Sequence, residues 1–347
     1  MNTGYEDLAV IISSKEKKER QIEDPMNLAL LVVLLAAAFP LISFLIEQLF
    51  TKEFTTLREG VVLITGASTG IGSHAAIYLA KNTEYIVMAG VRKDSDADAV
   101  RKLNIQNLVP IKVDVAVHDS VVSAVNELKS FLNTKKIPLV AVVNNAGISR
   151  SIAFENHRIG DIRNLFDTNV FGAIDLTQQV LPLLRNSKGR IVMMSSVAGK
   201  ISRPLNSMYA ASKHAMESMS DALRREVAHM GIAVSLIEPA YVQSAIFGKV
   251  KETAQPTSSS IREEDEDASW TYYDRFRTPE KKAKTAKALE RADDPVVTST
   301  VVHHAISNPR PKPRYAVANF HGIPAWILTN YAPMIPDRIL DYILENF

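Results

Sequence analysis

Val61-Val-Leu-Ile-Thr-Gly-Ala-Ser-Thr-Gly-Ile-Gly72 is the stretch that decides the fold of this chain. Its first half is a continuous apolar run, which is typical of a buried parallel strand. Its second half is a glycine-rich turn, and the segment 73–81 that follows is predicted to be a helix. Glycine lets the backbone approach a pyrophosphate closely, and a helix N-terminus presents free N–H groups to it. The stretch therefore predicts a dinucleotide-binding strand, turn and helix.

Apolar runs alternate with helical segments along most of the remaining chain. The predicted strands after the first cover 85–90, 108–113, 139–143, 189–194, 233–238 and 313–317. Strand and helix alternating in this way predict an α/β fold whose core is a doubly wound parallel sheet of the Rossmann type.

A second stretch, Tyr209-Ala-Ala-Ser-Lys213, carries the chemistry. A tyrosine and a lysine at this spacing lie on the same face of a helix. A nearby ammonium favours the phenolate, so we expect Lys213 to lower the pKa of Tyr209 toward neutrality, where proton transfer is most useful. Ser196 ends a strand-like run, from which its hydroxyl is expected to meet Tyr209 and to hold a substrate oxygen. The spacing alone is common on helices and specifies nothing.

The combination of motifs resembles the short-chain dehydrogenases/reductases over about residues 60–245. The glycine turn, Asn144-Asn-Ala-Gly147, Asn169, Ser196 and the Tyr209–Lys213 pair occur in that family's order. The strand at 313–317 and the apolar segment after it resemble the steroid, retinoid and hydroxybutyrate dehydrogenase branches. Ala240 occupies the position where the family usually has the glycine of a Pro-Gly pair. Alanine cannot take every backbone angle that glycine can, so the chain differs from the family at this point.

The resemblance implies a role for each of these positions. Tyr209 would be the general acid/base, Lys213 would lower its pKa and hold the nicotinamide ribose, Ser196 would orient the carbonyl, and Asn169 would support a water relay. No metal is needed, because the cofactor supplies the hard chemistry. The implied cofactor-binding residues are Thr65, Gly66, Ser68, Gly70, Ile71, Gly72, Arg92, Asp114, Val115, Asn145, Ala146, Gly147, Tyr209, Lys213, Pro239 and Val242.

The end of the second strand indicates which cofactor is used. An acidic residue there would bind the ribose 2′-hydroxyl of NAD. Val91 occupies that position and Arg92 follows it. A guanidinium suits a 2′-phosphate, so NADP is favoured over NAD. The alternative is a solvated arginine at a strand end.

The overall composition excludes several classes of protein. The net charge is +2, which gives no case for nucleic acid as a partner. The chain has no cysteine, so disulfides and thiolate metal sites are excluded. The resemblance implies a homodimer or homotetramer.

The N-terminal segments predict attachment to a membrane. Residues 1–25 are polar, whereas Met26 to Ile46 contains no charged residue and would span about 31 Å as a helix, close to the ~30 Å hydrocarbon core. We expect a transmembrane or membrane-anchor helix over 26–50, in the endoplasmic reticulum or another organelle membrane. A cleaved signal peptide, and a shallow hairpin bent at Pro40, are the alternatives.

The catalytic domain is expected to cover 59–320, with a substrate flap at about 243–293. The flap contains a Ser/acid loop at 257–267, then Trp270, Tyr272, Tyr273 and Phe276, and either forms a mobile lid or packs onto the domain. Residues 321–347 form an apolar extension, for which an extra core layer is favoured over a bilayer contact.

The sequence as a whole predicts an enzyme that moves hydride between NADP(H) and a secondary alcohol or ketone. The membrane segment and the aromatic flap point to a hydrophobic lipid, steroid or retinoid substrate. A protein that binds NADP(H) at the membrane without turnover, as a sensor or scaffold, is the alternative. A sensor has no need for the full set of Ser196, Tyr209, Lys213 and Asn169.

Overall fold

The computed structural model describes residues 51–243 and 272–346, together with the helical positions Ala38, Ile42, Ile46 and Phe50. The chain divides into two compact units, Met1–Glu53 and Phe54–Phe347. The polar tail, most of the predicted membrane segment, Trp270 and the loop 257–267 lie outside the described residues. Within the part that is described, no helix is long and apolar enough to span a membrane.

The second unit is built on a parallel sheet of seven strands. In chain order the strands are β1 (Glu59–Thr65), β2 (Glu84–Val91), β3 (Leu108–Lys112), β4 (Leu139–Asn144), β5 (Arg190–Met194), β6 (Ala233–Pro239) and β7 (Arg314–Val317). They lie in the order β3-β2-β1-β4-β5-β6-β7. The predicted doubly wound parallel sheet is therefore confirmed. Its order reverses between β1 and β4, which is where folds of this type bind their ligands.

Helices cover both faces of the sheet and extend past its last strand. They are α1 (Gly70–Asn82), α2 (Asp94–Lys102), α3 (His118–Lys135), α4 (Ile159–Phe166), α5 (Gly172–Ser187), α6 (Ser207–Val227), α7 (Pro279–Glu290), α8 (Val296–Ser307), α9 (Ala325–Tyr331) and α10 (Asp337–Asn346). A π-helical segment, Asp167–Phe171, joins α4 to α5. A short antiparallel hairpin, β8 (Asn319–Phe320) with β9 (Ile323–Pro324), precedes α9.

Two apolar layers hold the helices on the sheet. One layer includes Leu79 of α1 and Val302 of α8, and the other includes Leu128 of α3 and Leu176 of α5. All four side chains are fully buried. The strands are apolar on both faces because each face packs against helices.

The buried guanidinium of Arg190, at the start of β5, holds the segment that precedes β1. Its Nη2 donates to the carbonyl oxygens of Thr55 at 2.7 Å and Asn308 at 3.2 Å. The guanidinium carbon also lies 5.4 Å from the centre of the Phe54 ring. These contacts hold the segment before β1 against the start of β5 and the end of α8.

The C-terminal segment divides into a packed part and an exposed part. Ala325 of α9 is buried in a small cluster with Tyr241 and Phe320. In contrast, Met334 and Tyr342, which lie further along, are both 72 % exposed. Only the first part of the segment therefore forms the extra core layer that the sequence suggested.

Candidate active site

The glycine turn after β1 leaves no room for a side chain at its glycine positions. A Cβ atom on Gly72 would lie 2.3 Å from the Asn145 side-chain nitrogen and 2.4 Å from the Gly66 carbonyl oxygen. Gly66 and Gly70 have φ angles of 66° and 60°, which is the left-handed region that side chains disfavour. Glycine is therefore required at all three positions by the backbone itself.

Hydrogen bonds join this turn to the end of β4. The Asn145 side chain donates to the carbonyl oxygen of Thr65 at 2.9 Å and to that of Gly66 at 3.2 Å. In return, the Thr65 hydroxyl accepts from the backbone N–H groups of Asn145 and Ala146, both at 3.0 Å. The two strands that flank the reversal of the sheet order are thus fastened together at the edge where a ligand would bind.

The N-terminus of α1 fits the pyrophosphate of a dinucleotide. Its N-cap residue, Thr69, makes no side-chain capping bond, and the first turn has no acidic residue. The free N–H groups of this turn and the partial positive charge of the helix end both favour an anion. Ser68 is exposed at the turn and Ile71 is half-buried. The missing Cβ atoms of Gly66 and Gly72 leave room for Ala146 and Asn145, which pack against the turn.

The predicted adenosine-binding residues follow β2 and β3. Val91 ends β2 and is 1 % exposed, and Arg92 comes next and is exposed. Asp114 is half-buried and its Oδ1 accepts from the backbone N–H of Ala116 at 3.1 Å. Val115 is buried. All four positions lie at the carboxyl ends of their strands, the same edge of the sheet as the glycine turn.

Tyr209 and Lys213 lie one turn apart on α6. Lys213 is only 4 % exposed, and its ammonium donates to the carbonyl oxygen of Met194, the last residue of β5, at 2.7 Å. The Lys213 Nζ lies 5.7 Å from the centre of the Tyr209 ring. One of the three ammonium N–H bonds is thus used to hold the side chain in position.

Ser196 meets Tyr209 from the loop after β5. The Ser196 hydroxyl lowers the pKa of the Tyr209 phenol, so the two side chains are close neighbours. The same oxygen donates to the carbonyl of Pro239 at 3.3 Å and accepts from the backbone N–H of Ala198 at 3.2 Å. Val242, just beyond Pro239, is fully buried. The serine is therefore fixed between β6 and the start of the next turn.

Asn169 lies in the π-helical segment before α5 and is almost fully buried. Its side chain accepts from the backbone N–H of Ile148 at 2.8 Å and donates to the carbonyl of the same residue at 2.9 Å. It also donates to the Ser212 hydroxyl at 3.0 Å, which in turn donates to the Tyr209 carbonyl at 2.7 Å. A π-bulge often occurs at a functional site. Here it brings Asn169 to the helix of Tyr209.

Gly147 marks the point where these groups converge. A Cβ atom there would lie 3.3 Å from the Asn169 side-chain oxygen and 3.8 Å from the Lys213 Nζ. Gly147 therefore lies next to both the Asn169 amide and the Lys213 ammonium, so the predicted residues of α6, of the π-helical segment and of the stretch after β4 meet at this point.

The expected pKa shift of the tyrosine is wrong in sign. Burial raises the pKa of Tyr209 above its ordinary value, and the hydrogen bond with Ser196 only partly opposes this. Burial also lowers the pKa of Lys213 to about 8, although the charge of Glu217 raises it. In both cases burial disfavours the charged form, which is the phenolate of Tyr209 and the ammonium of Lys213.

Sequence reasoning missed three residues that support the site. Ser212 links Asn169 to α6, the Met194 carbonyl binds Lys213, and Glu217 acts on Lys213 electrostatically. Glu217 lies one further turn along the face of Tyr209 and Lys213, and this spacing is the one signal that the sequence offers. Backbone acceptors such as Met194 leave no signal at all.

A cavity of about 200 Å³ lies beside the N-terminus of α6. Its walls come from the segments after β4 and β5 and from the end of the flap: Ala153, Phe154, Arg203, Pro204, Leu205, Ser207, Tyr273 and Phe276. Most of these side chains are apolar. Tyr272 of the flap is 80 % exposed, so the described aromatic residues divide between the cavity and solvent.

Comparison with known proteins finds similarity to dehydrogenases and reductases. A family model described as short chain dehydrogenase matches residues 60–255. An NADPH-dependent 3-dehydrocapnine reductase from Ornithobacterium rhinotracheale is 32 % identical over 81 % of this chain and 94 % of its own length. Human retinol dehydrogenase 16 is 31 % identical over 83 % of this chain and 88 % of its own.

The fold likewise matches a solved structure. A short-chain dehydrogenase from Streptomyces avermitilis aligns with a TM-score of 0.57, covering 74 % of this chain and 88 % of that one. The two sequences are 24 % identical, so this likeness concerns the fold.

The glycine turn yields a first prediction. Gly72→Ala should weaken dinucleotide binding by at least about tenfold, because the new methyl group must displace either the Asn145 amide or the Gly66 carbonyl. Fluorescence titration with NADPH measures the loss. Gly160→Ala is the matched control, since a Cβ atom on Gly160 meets nothing within 4 Å. Equal affinities for the two variants would contradict a role of the glycine turn in dinucleotide binding.

Proposed function

The chain belongs to the short-chain dehydrogenase family, and from this premise we propose that it is an NADP(H)-dependent oxidoreductase. It moves hydride between the cofactor and a secondary alcohol or ketone of a hydrophobic lipid, steroid or retinoid. The observation that carries the proposal is the cluster of neighbouring side chains formed by Tyr209, Ser196, Lys213 and Asn169. The apolar cavity beside α6 supports a hydrophobic substrate.

The protein's own part in the reaction follows from the positions of these residues. Ser196, fixed by its backbone partners, orients the substrate carbonyl by hydrogen bonding to its oxygen. Tyr209 donates the phenolic proton to that oxygen on reduction and takes it back on oxidation. Because its pKa is raised, Tyr209 is a proton donor at neutral pH. When bound, the cofactor supplies or accepts the hydride.

Lys213 and Asn169 support the tyrosine in different ways. The Lys213 ammonium, held by the Met194 carbonyl, keeps its other N–H bonds for the nicotinamide ribose. Its positive charge favours the phenolate that forms when the proton leaves Tyr209. Asn169 holds the Ile148 backbone and Ser212, so the region that would carry a water relay is fixed.

The preference for NADP(H) rests on the residues after β2. Val91 offers no carboxylate to a ribose 2′-hydroxyl, and Arg92 is exposed directly after it. Asp94, the nearest following acid, bonds to Lys112 at 2.8 Å, which offsets its charge. A guanidinium at this place suits a 2′-phosphate. The NADPH-dependent reductase among the relatives agrees with this choice.

Removing the phenolic proton tests the chemistry. Tyr209→Phe keeps the ring and should reduce turnover by ~10²–10⁴-fold or more, because general acid/base groups contribute that much. The assay follows NADPH oxidation with a panel of steroid, retinoid and other lipid ketones, while NADPH binding should persist. Tyr78→Phe, on α1, is the control. Near-normal turnover by Tyr209→Phe would disprove the assignment.

Removing the guanidinium tests cofactor choice. A charge-assisted hydrogen bond contributes about 1.5–3 kcal/mol, roughly ten- to hundredfold in affinity. Arg92→Ala should therefore weaken NADP(H) by that factor and leave NAD(H) almost unchanged, as titration of both cofactors will measure. Arg225→Ala, an exposed change on α6, serves as control. Equal losses for both cofactors would mean that Arg92 is structural, and a wild type that prefers NAD would overturn the choice.

The proposed membrane attachment through residues 26–46 has a separate test. An uncharged helix of that length matches the hydrocarbon core, so the full chain should stay in the pellet when isolated membranes are washed with alkaline carbonate. Release of intact, uncleaved chain into the supernatant would rule out a spanning helix.

We also propose that two copies of the chain pair through α5 and α6, because the family resemblance implies a homodimer or homotetramer.

A further inference from the structure

A half-buried arginine lines the cavity beside the N-terminus of α6. Arg203 is the one charged residue among the eight described residues around this space of about 200 Å³. Most of the others have apolar side chains, namely Ala153, Phe154, Pro204, Leu205 and Phe276. A charge beside an apolar space is costly unless an opposite charge or hydrogen-bond acceptors meet it. The guanidinium of Arg203 therefore needs a partner here.

Aromatic side chains hold the guanidinium of Arg203 in place. Its central carbon lies 4.7 Å from the centre of the Phe320 ring, which stacks on the Tyr241 ring with the centres 5.0 Å apart. The Arg203 Nη1 donates to the Tyr241 hydroxyl at 3.5 Å, which is long for a hydrogen bond. A guanidinium has five N–H donors in a rigid plane. Among the described residues this is the one hydrogen bond that the Arg203 side chain makes, so most of its donors stay available.

Other half-buried arginines of the chain have acidic partners. Arg150 lies 3.1 Å from Asp161, and Arg314 lies 2.8 Å from Asp221. In contrast, no carboxylate in the part of the chain that the structure describes forms an ion pair with Arg203. An anionic ligand in the cavity would supply the counter-charge that these residues do not.

The surroundings of Arg203 add positive charge. His321 forms a hydrogen bond with the Tyr241 hydroxyl at 3.3 Å, so it shares this tyrosine with Arg203. Burial, and then the charges of Arg203 and of Lys284 on α7, lower the pKa of His321 to about 4. The imidazole is therefore neutral at neutral pH, and two positive charges act on it. This local field favours an anion.

The cavity lies next to both catalytic groups along the chain. It reaches the first residue of α6, and Tyr209 is two residues further along that helix. Tyr241, which accepts from Arg203, comes two residues after Pro239, whose carbonyl accepts from the Ser196 hydroxyl at 3.3 Å. A substrate whose carbonyl meets Tyr209 and Ser196 would place its remaining part beside Arg203.

We propose that Arg203 binds an anionic group of the substrate, and that the substrate is an apolar ketone or alcohol with a carboxylate or similar acid remote from its reacting carbon. The planar N–H donors of a guanidinium match the two oxygens of a carboxylate, and the apolar walls of the cavity take the hydrocarbon part. The inference rests on the proposed function for the reaction itself. It narrows the substrate class from neutral lipids to acidic ones.

Two ligands of equal chain length test the role of charge. Dodecanoate and dodecanol are titrated calorimetrically into the full chain loaded with NADPH, at about pH 8, where a carboxylate is ionised. Dodecanoate should bind at least about tenfold more tightly, because a hydrogen bond to a charged group contributes that factor. Arg203→Gln should weaken dodecanoate about tenfold and change the affinity for dodecanol by less than about twofold.

Two further variants separate charge from packing. Arg203→Lys keeps the positive charge and loses the planar fork, so it should retain part of the preference for dodecanoate. Arg163→Gln removes an exposed arginine on α4 and should leave both affinities unchanged. If Arg203→Gln does not fold, the wild-type preference and the Arg203→Lys variant decide the matter.

Three results would overturn the inference. Equal affinities of the wild type for the two ligands, or a preference for dodecanol, would show that no anion is bound. A preference that persists in Arg203→Gln would place the anion at another residue. Equal losses for both ligands in Arg203→Gln would show that Arg203 only packs on Phe320.

Turnover distinguishes this inference from the proposed function. NADPH oxidation is followed with long-chain oxo-fatty acids and their methyl esters, which differ in charge alone. The acid should have the lower KM, with a similar kcat, and Arg203→Gln should remove the difference. Equal KM values for acid and ester would contradict the inference and leave the function standing. No turnover of these or of the other lipid ketones would count against the function, whereas the dodecanoate titration would still judge the anion site.

Discussion

The hydrogen bonds between the ends of β1 and β4 are the constraint on which the cleft depends. These strands flank the place where the sheet order reverses, and nothing in a parallel sheet alone fixes the loops that leave it there. Asn145 and Thr65 close that gap with side-chain to backbone bonds in both directions. The glycine turn is thereby held against the stretch that leads to Gly147. The glycine turn and the residues around Gly147 are consequently held together at one edge of the sheet.

Burial is the largest cause of the pKa shifts of Tyr209 and Lys213. The same exclusion of water that holds Tyr209 protonated makes the charge on Lys213 costly, because both effects disfavour the ionised form. A buried ammonium needs compensating charge or well-aligned acceptors. Here the Met194 carbonyl provides an acceptor, and the next carboxylate on the helix provides charge. The charge states of Tyr209 and Lys213 therefore depend on how deeply they are buried and on the groups that surround them.

The sequence predicts what short-range patterns encode. The glycine turn, the apolar strands and the spacing of Tyr209 and Lys213 each lie within one local stretch, and the strand positions and sheet type follow from them. The pKa of Tyr209 could not be predicted in sign, because it depends on how deeply α6 packs rather than on the presence of Lys213. The ion pairs of Arg314 with Glu217 and Glu238 join strands to a helix, and no local pattern marks them.

The contacts of Arg190 join a side chain to the backbone of two distant residues. Its guanidinium is bound by the backbone carbonyls of Thr55 and Asn308, and every amino acid supplies the same carbonyl. The identities of residues 55 and 308 are therefore unconstrained by this contact, whereas position 190 needs the planar fork of donors that arginine alone provides. Only the identity of residue 190 is therefore constrained by this contact. Substitution at Arg190 has no compensating change elsewhere, since altering the side chains at its acceptor positions leaves the acceptors as they were.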